Sequence, residues 1–291
     1  MSNSNVEELE FEVHSLKIAA KRWNPGAGSR AIALHGWLDN CGSFDPMATQ
    51  FADIDLVAVD SAGHGHSDFR SPDGQYLIWA EVGEIFAIAD QLGWQTFNLI
   101  GHSRGAGIAA ISAGTFPDRI ERLVLIEGGV PLPMEAQDVP KNLAMHILDN
   151  QRLSGTKGSV FTTRQKALDA RADGFTKIRK ETAEVLATRS LVKDGEGYRW
   201  HADPRLKTPS SLKLTHGQID AFLGRISAPT LLLEGRQGLW QNMPFRPHHI
   251  ARIGHLEEVL FDGGHHLHME DSVDDCARAI IHFFAQSSQT N

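Results

Sequence analysis

Cysteine is scarce: only Cys41 and Cys276 occur in 291 residues. Two thiols so far apart make neither a disulfide framework nor a metal motif, and both read as free thiols in a reducing compartment. Long apolar runs are also missing. LVLIEGGV, among the most continuous, is broken by charge and glycine well short of the ~18 residues that a membrane span requires. The opening MSNSNVEELEFEVHS has no positive start followed by an apolar core, so no secretory signal is expected. The expectation is a cytoplasmic protein with no membrane partner. A basic surplus is absent too: the formal charge is −8, and phosphate backbones need a concentrated positive surface, which argues against a nucleic-acid partner. There is no internal repeat and no low-complexity tract.

What remains is an ordinary globular composition, 41% hydrophobic and 22% charged, organised by alternation. Short apolar runs at His14–Trp23, Arg30–His35, Ile54–Asp60, Thr96–Ile100 and Ile120–Ile126 alternate with helical patterns at Tyr76–Leu92 and Arg104–Thr115. That order predicts an α/β fold with a mostly parallel sheet and helices on both faces. After Val130 the proline-rich PLPMEAQDVP interrupts it. Helical periodicity with almost no strand signal then runs to about Arg225, before strands return in TLLLEG and Glu257–Phe261 and a helix in Ser272–Phe284. The expected organisation is a core of residues 1–130 and 227–291, with a helical cap at 131–226 inserted after the sixth strand.

The stretch LIGHSRGAGIAA places Ser103 between Gly101 and Gly105, after an apolar strand and before a small-residue helix. In G-x-S-x-G the serine occupies a sharp strand-to-helix turn whose neighbours two residues away must lack side chains, and its hydroxyl stands at the positive end of the helix. Ser103 is therefore the candidate nucleophile. LHGWLDN offers the backbone N–H of Trp37 to a developing oxyanion, and the N–H of Arg104 makes a second donor. His35, Gly36 and His102, beside these donors, are expected to touch substrate. DSAGHGHSD carries His64 and His66, but their spacing matches no zinc pattern, and a turn built on Gly63 and Gly65 accounts for it better.

With HG after the third strand, D-x-x-G-H-G-x-S after the fourth, GHSRG after the fifth and a C-terminal GGH, the chain resembles an α/β-hydrolase. LHGWLDNCGSFD together with GHSRG most resembles the serine hydrolase-like proteins, a group of esterases. The resemblance implies that His265, directly after Gly263 and Gly264, is the base that takes the serine proton. His266 and His268 are its rivals, and a metal reading of HHLH is the weakest alternative.

The acid departs from the common pattern. After TLLLEG, where the family places an aspartate, the loop reads Arg236, Gln237, Gly238, Leu239, Trp240, with no carboxylate. Glu127, at the carboxyl end of the sixth strand, is the candidate in its place. Its strand is expected beside the nucleophile strand, neighbours there being ~4.8 Å apart, and some α/β-hydrolases, a group of haloalkane dehalogenases among them, use a glutamate at the matching position. Glu234, inside TLLLEG, is the runner-up.

A serine nucleophile implies acyl chemistry: a carboxylesterase acting on a small-molecule ester of small to medium acyl chain, with no cofactor and no metal. A carbon–carbon bond hydrolase, a thioesterase, a lactonase and a catalytically silent ligand-binding member remain as alternatives. Phe161, Phe175, Leu186, Trp200 and Phe222 are the insertion residues expected to line an apolar pocket.

Overall fold

The apolar runs become strands of one sheet in the computed structural model, which describes residues 6–286. In chain order the strands are β1 (Val6–Val13), β2 (Leu16–Trp23), β3 (Ser29–Leu34), β4 (Ile54–Val59), β5 (Phe97–His102), β6 (Ile120–Ile126), β7 (Leu191–Asp194), β8 (Gly197–Trp200), β9 (Thr230–Gly235) and β10 (Leu256–Phe261). The helices are α1 (Asp45–Ala48), α2 (Ile78–Gln91), α3 (Arg104–Thr115), α4 (Val139–Leu153), α5 (Arg164–Ala172), α6 (Lys180–Ser190), α7 (His216–Leu223), α8 (Arg246–Ile250) and α9 (Val273–Ala285).

The main sheet runs β1-β2-β4-β3-β5-β6-β9-β10. Only β2 is reversed, pairing antiparallel with both β1 and β4. The central strands are buried on both faces, as parallel strands sandwiched by helices must be. Ile32, Val57, Leu99, Leu123 and Leu232 meet α2, α3 and α7 on one face, while Ala31, Leu56, Ile100, Val124 and Leu231 meet α1 and α9 on the other. Each such leucine, isoleucine or valine contributes about 1.5–3 kcal/mol on burial, so the sheet centre is the rigid base for whatever its carboxyl edge carries. β6 lies between β5 and β9, which brings the ends of all three strands to one rim.

The segment between β6 and β9 supplies a smaller core of its own, Leu168, Ile178, Ala183 and Leu186, closed by Met269 from the loop after β10. Polar bonds fasten it to the sheet's loops. Arg189 Nε lies 2.6 Å from Asp60 Oδ2, Asn40 Nδ2 donates to the Leu186 carbonyl at 2.9 Å, and Tyr76 Oη donates to Asp203 at 2.7 Å.

Three differences from the sequence reading have physical reasons. β1 escapes a hydrophobic-pattern search because half of it is glutamate (Glu7, Glu8, Glu10 and Glu12) and only Phe11 and Val13 are buried. The β7–β8 hairpin escapes it because each strand has four residues and is largely half-exposed. α7, counted with the insertion by the sequence boundary, buries Ile219 and Leu223 in the main core. A Cβ on Gly114 of α3 would overlap the Phe222 carbonyl, so α7 lies against α3 backbone to backbone. Both cysteines are buried and free, and burial pushes the Cys276 thiol up to about 12. Among the described residues no helix is long and apolar enough to cross a membrane.

Candidate active site

Ser103 sits between β5 and α3 with φ 53° and ψ −114°, a conformation an L-residue holds only when its surroundings enforce it. Its own N–H donates to the Ile126 carbonyl at 2.8 Å. Side chains two residues away are sterically excluded: a Cβ on Gly105 would lie 2.7 Å from the His35 carbonyl oxygen, and one on Gly101 would overlap the backbone of Gly105. Five described non-glycine residues have positive φ, and three of them, Leu38, Ser103 and Glu127, converge here. Strain of order 1–3 kcal/mol at each such residue is typical of a site that function has shaped.

The side chains predicted from three distant parts of the sequence meet at the rim. His265 Nε2 lies 2.8 Å from Ser103 Oγ, and His265 Nδ1 lies 3.2 Å from Glu127 Oε2. A carboxylate has no donor, so Nδ1–H donates to Glu127 and Nε2 accepts from the serine hydroxyl. Glu127 is buried and both of its oxygens are hydrogen-bonded: Oε1 accepts from Gly235 N–H at 2.7 Å, and Oε2 from the N–H groups of Leu239 and Trp240 at 2.9 and 3.3 Å. The loop after β9, which carries no acid, instead wraps the acid from β6 with amides. Gly238 lets it do so, since any Cβ there would overlap the Glu127 carboxylate. Glu234 is elsewhere, gripped by Nε and Nη2 of Arg246, each at 2.6 Å.

Trp37 and Arg104 carry the two expected donors, and neither backbone N–H has a hydrogen-bond partner among the described residues. The Arg104 side chain turns away into a bidentate pair with Glu81. Burial opposes ionisation of Glu81, but Arg104 holds its carboxyl below the ordinary range. Its neighbour Glu84 is pushed up to about 7 by burial and by the Glu81 charge.

His35 requires a correction: it does not reach the cavity. Its Nδ1–H donates to the Gly36 carbonyl at 2.7 Å and its Nε2 accepts from Ser61 N–H at 3.1 Å, so it staples the loop after β3 to the loop after β4. Gly36 does line the cavity. His102 borders it but is fully buried, and its Nε2–H donates to the His265 carbonyl at 2.9 Å. Gly63 and Gly65 adopt φ 83° and 53° in the turn after β4.

Behind His265 lies a buried group that the sequence did not disclose. Asp39 Oδ1 accepts from Arg171 of α5 at 2.5 Å, and Asp39 Oδ2 faces His266 Nε2 at 3.2 Å and His102 Nδ1 at 3.8 Å. Burial favours the neutral acid, yet His266 and Arg171 hold the Asp39 carboxyl well below the usual carboxylate range. The stability this pairing adds is therefore present at pH values above ~3.9, the unfolded carboxyl's value, and fades only as pH falls through the lower folded value. Removing one partner of a buried pair strands the other. Arg171→Gln should lose about 3 kcal/mol at neutral pH, read as a lower urea midpoint. An unchanged midpoint would mean that Asp39 is fully served by its histidines.

The cavity above Ser103 has a volume of about 530 Å³ and is walled mainly by apolar groups such as Trp37, Ile78, Leu206, Leu212, Trp240 and Met243. Of the five insertion residues proposed as lining, only Phe175 reaches it. Leu186 fills the insertion's own core, Trp200 packs beside it, Phe222 packs on the main core, and Phe161 bridges to Tyr198. The pattern of apolar residues could not separate a wall from a core, because both demand the same side chains.

The pattern that defines the alpha/beta hydrolase fold matches residues 32–272, and the chain belongs to that family. It is 30% identical over 289 residues to a serine hydrolase-like protein of Dictyostelium discoideum, covering 92% of this chain and 79% of that one. Among solved structures, a hypothetical protein of Pseudomonas aeruginosa PAO1 superposes with a TM-score of 0.91 at 37% identity, over 96% of this chain and 100% of that one. A thioesterase domain from the curacin biosynthetic pathway gives 0.84 at 25%, covering 95% and 99%.

Proposed function

We propose that this α/β-hydrolase is a serine carboxylesterase acting on esters of small to medium acyl chains, with Ser103 as nucleophile, His265 as base and Glu127 as acid. The observation that carries the reading is the unbroken hydrogen-bonded chain Ser103–His265–Glu127, at 2.8 and 3.2 Å, on the floor of an apolar cavity. Ser103 Oγ attacks the acyl carbon while its proton passes to His265 Nε2. The oxyanion lies against the N–H groups of Trp37 and Arg104, each such donor contributing about 2.7–4 kcal/mol to barrier lowering. Collapse breaks the bond to the alcohol, which leaves with the proton from His265. Water, deprotonated by the same imidazole, then releases the acid and restores the serine. The residues of the insertion act as a cap that excludes solvent and sizes the acyl group.

Likeness to a thioesterase domain supports thioester cleavage as a second reading, with a thiol leaving in place of an alcohol and the protein groups unchanged. Turnover of p-nitrophenyl esters of increasing chain length, beside coenzyme A thioesters of the same acids, decides between them. Ester hydrolysis is expected, falling off for long chains that outgrow the cavity, together with covalent capture of the protein by a fluorophosphonate. Glu234→Gln should retain activity within about twofold, because its partner is Arg246 and not the imidazole. Absence of both turnover and labelling would replace the enzyme with a ligand-binding member of the fold.

A further inference from the structure

A second group of ligating side chains lies where the insertion rejoins the core. Asp220 of α7 faces two consecutive histidines of α8: His248 Nε2 is 2.8 Å from Asp220 Oδ2, and His249 Nδ1 is 2.8 Å from Asp220 Oδ1. One ligand atom from each residue falls within 4.8 Å of the others. We propose that Asp220, His248 and His249 bind a divalent transition cation of the Zn2+ class.

Two imidazoles and one carboxylate are a donor set suited to such an ion. Bonds of about 2.0–2.2 Å in tetrahedral geometry need only small rotations of these three groups. His249 is buried while His248 is about half-exposed, so one side is fixed and the other opens to solvent, where water completes the shell.

The outer contacts point the same way. His249 Nε2 lies 2.9 Å from His216 Nδ1, the two rings inclined by only 10°, and His216 Nε2 lies 3.5 Å from Glu135 Oε1. With Nδ1 on the cation, His249 Nε2–H donates to His216, whose own N–H turns to Glu135. Metal-bound histidines are ordinarily oriented by such a chain. The competing cation is Arg252, half-exposed and 3.5 Å from Asp220 Oδ2, on a long side chain free to swing into solvent.

Asp39, His102 and His266 also bring ligand atoms within 4.8 Å. There Arg171 already occupies the carboxylate at 2.5 Å, and its guanidinium repels a further cation. That group serves as the control.

Met134 N–H donates to the Leu214 carbonyl at 2.9 Å, so Glu135 and His216 stand where the insertion leaves and re-enters the core. A cation on α7 and α8 clasps this joint.

The full-length protein, stripped of metal, is titrated with zinc chloride against a chromophoric chelator. One Zn2+ per chain is expected, together with a higher thermal midpoint in zinc. His248→Ala and Asp220→Asn should each weaken binding at least tenfold and remove the thermal shift, whereas His266→Gln should bind as the native chain does. Circular dichroism checks that each variant is folded, and the exposed His248 carries the test should Asp220→Asn be unstable. No saturable binding by the native chain, equal affinity in His248→Ala, or a loss confined to His266→Gln would each overturn the assignment.

Discussion

Glu127→Gln should lower kcat for a p-nitrophenyl ester by about 10⁴-fold, the scale seen when a triad carboxylate becomes an amide, with KM little changed. The neutral amide no longer stabilises the imidazolium that forms as Ser103 attacks. A second effect comes from the amide cup. Glu127 Oε1 accepts one N–H, and Oε2 accepts two besides the imidazole. The NH2 of glutamine must oppose a donor in either orientation. The milder choice turns it toward Gly235 and leaves that amide unpaired, at a cost of about 1–3 kcal/mol in stability. A rate within tenfold of native would remove Glu127 from the chemistry and return attention to Glu234.

Ser103→Ala is expected to have a still larger effect, about 10⁶-fold in kcat, and to abolish fluorophosphonate labelling. The cavity, the two free N–H groups and His265 would all persist, so binding of a substrate analogue should survive. Labelling that continues in Ser103→Ala would locate the nucleophile elsewhere and dissolve the proposed mechanism. Thermal stability should change little, because alanine keeps the same Cβ in the strained elbow and only the hydrogen bond to His265 is lost.

The residues that announce themselves in the sequence are those whose backbone must do something unusual. Gly101 and Gly105 flank an elbow no other residue type could flank, Gly128 follows Glu127 where a Cβ would lie 2.7 Å from the Ser103 carbonyl oxygen, and the apolar strands leading to them are legible by composition alone. The role suggested for Glu127 follows from strand order, because β6 adjoins both β5 and β9. What stays hidden is whatever depends on partners far apart in the chain. Asp39 gives no sign that Arg171, 132 residues later, will meet it. His35 carries the same HG signature whether it touches substrate or, as observed, braces two loops. The insertion's wall and core are drawn from one apolar alphabet, and only tertiary packing tells Phe175 from Leu186.

The space beside Gly238 has a lasting consequence for how such a hydrolase can change. Any side chain grown at that position collides with the carboxylate reaching over from β6, so residues 127 and 238 compete for one volume. A carboxylate carried at position 238 itself would thus demand a concerted exchange, shrinking residue 127 as residue 238 enlarges.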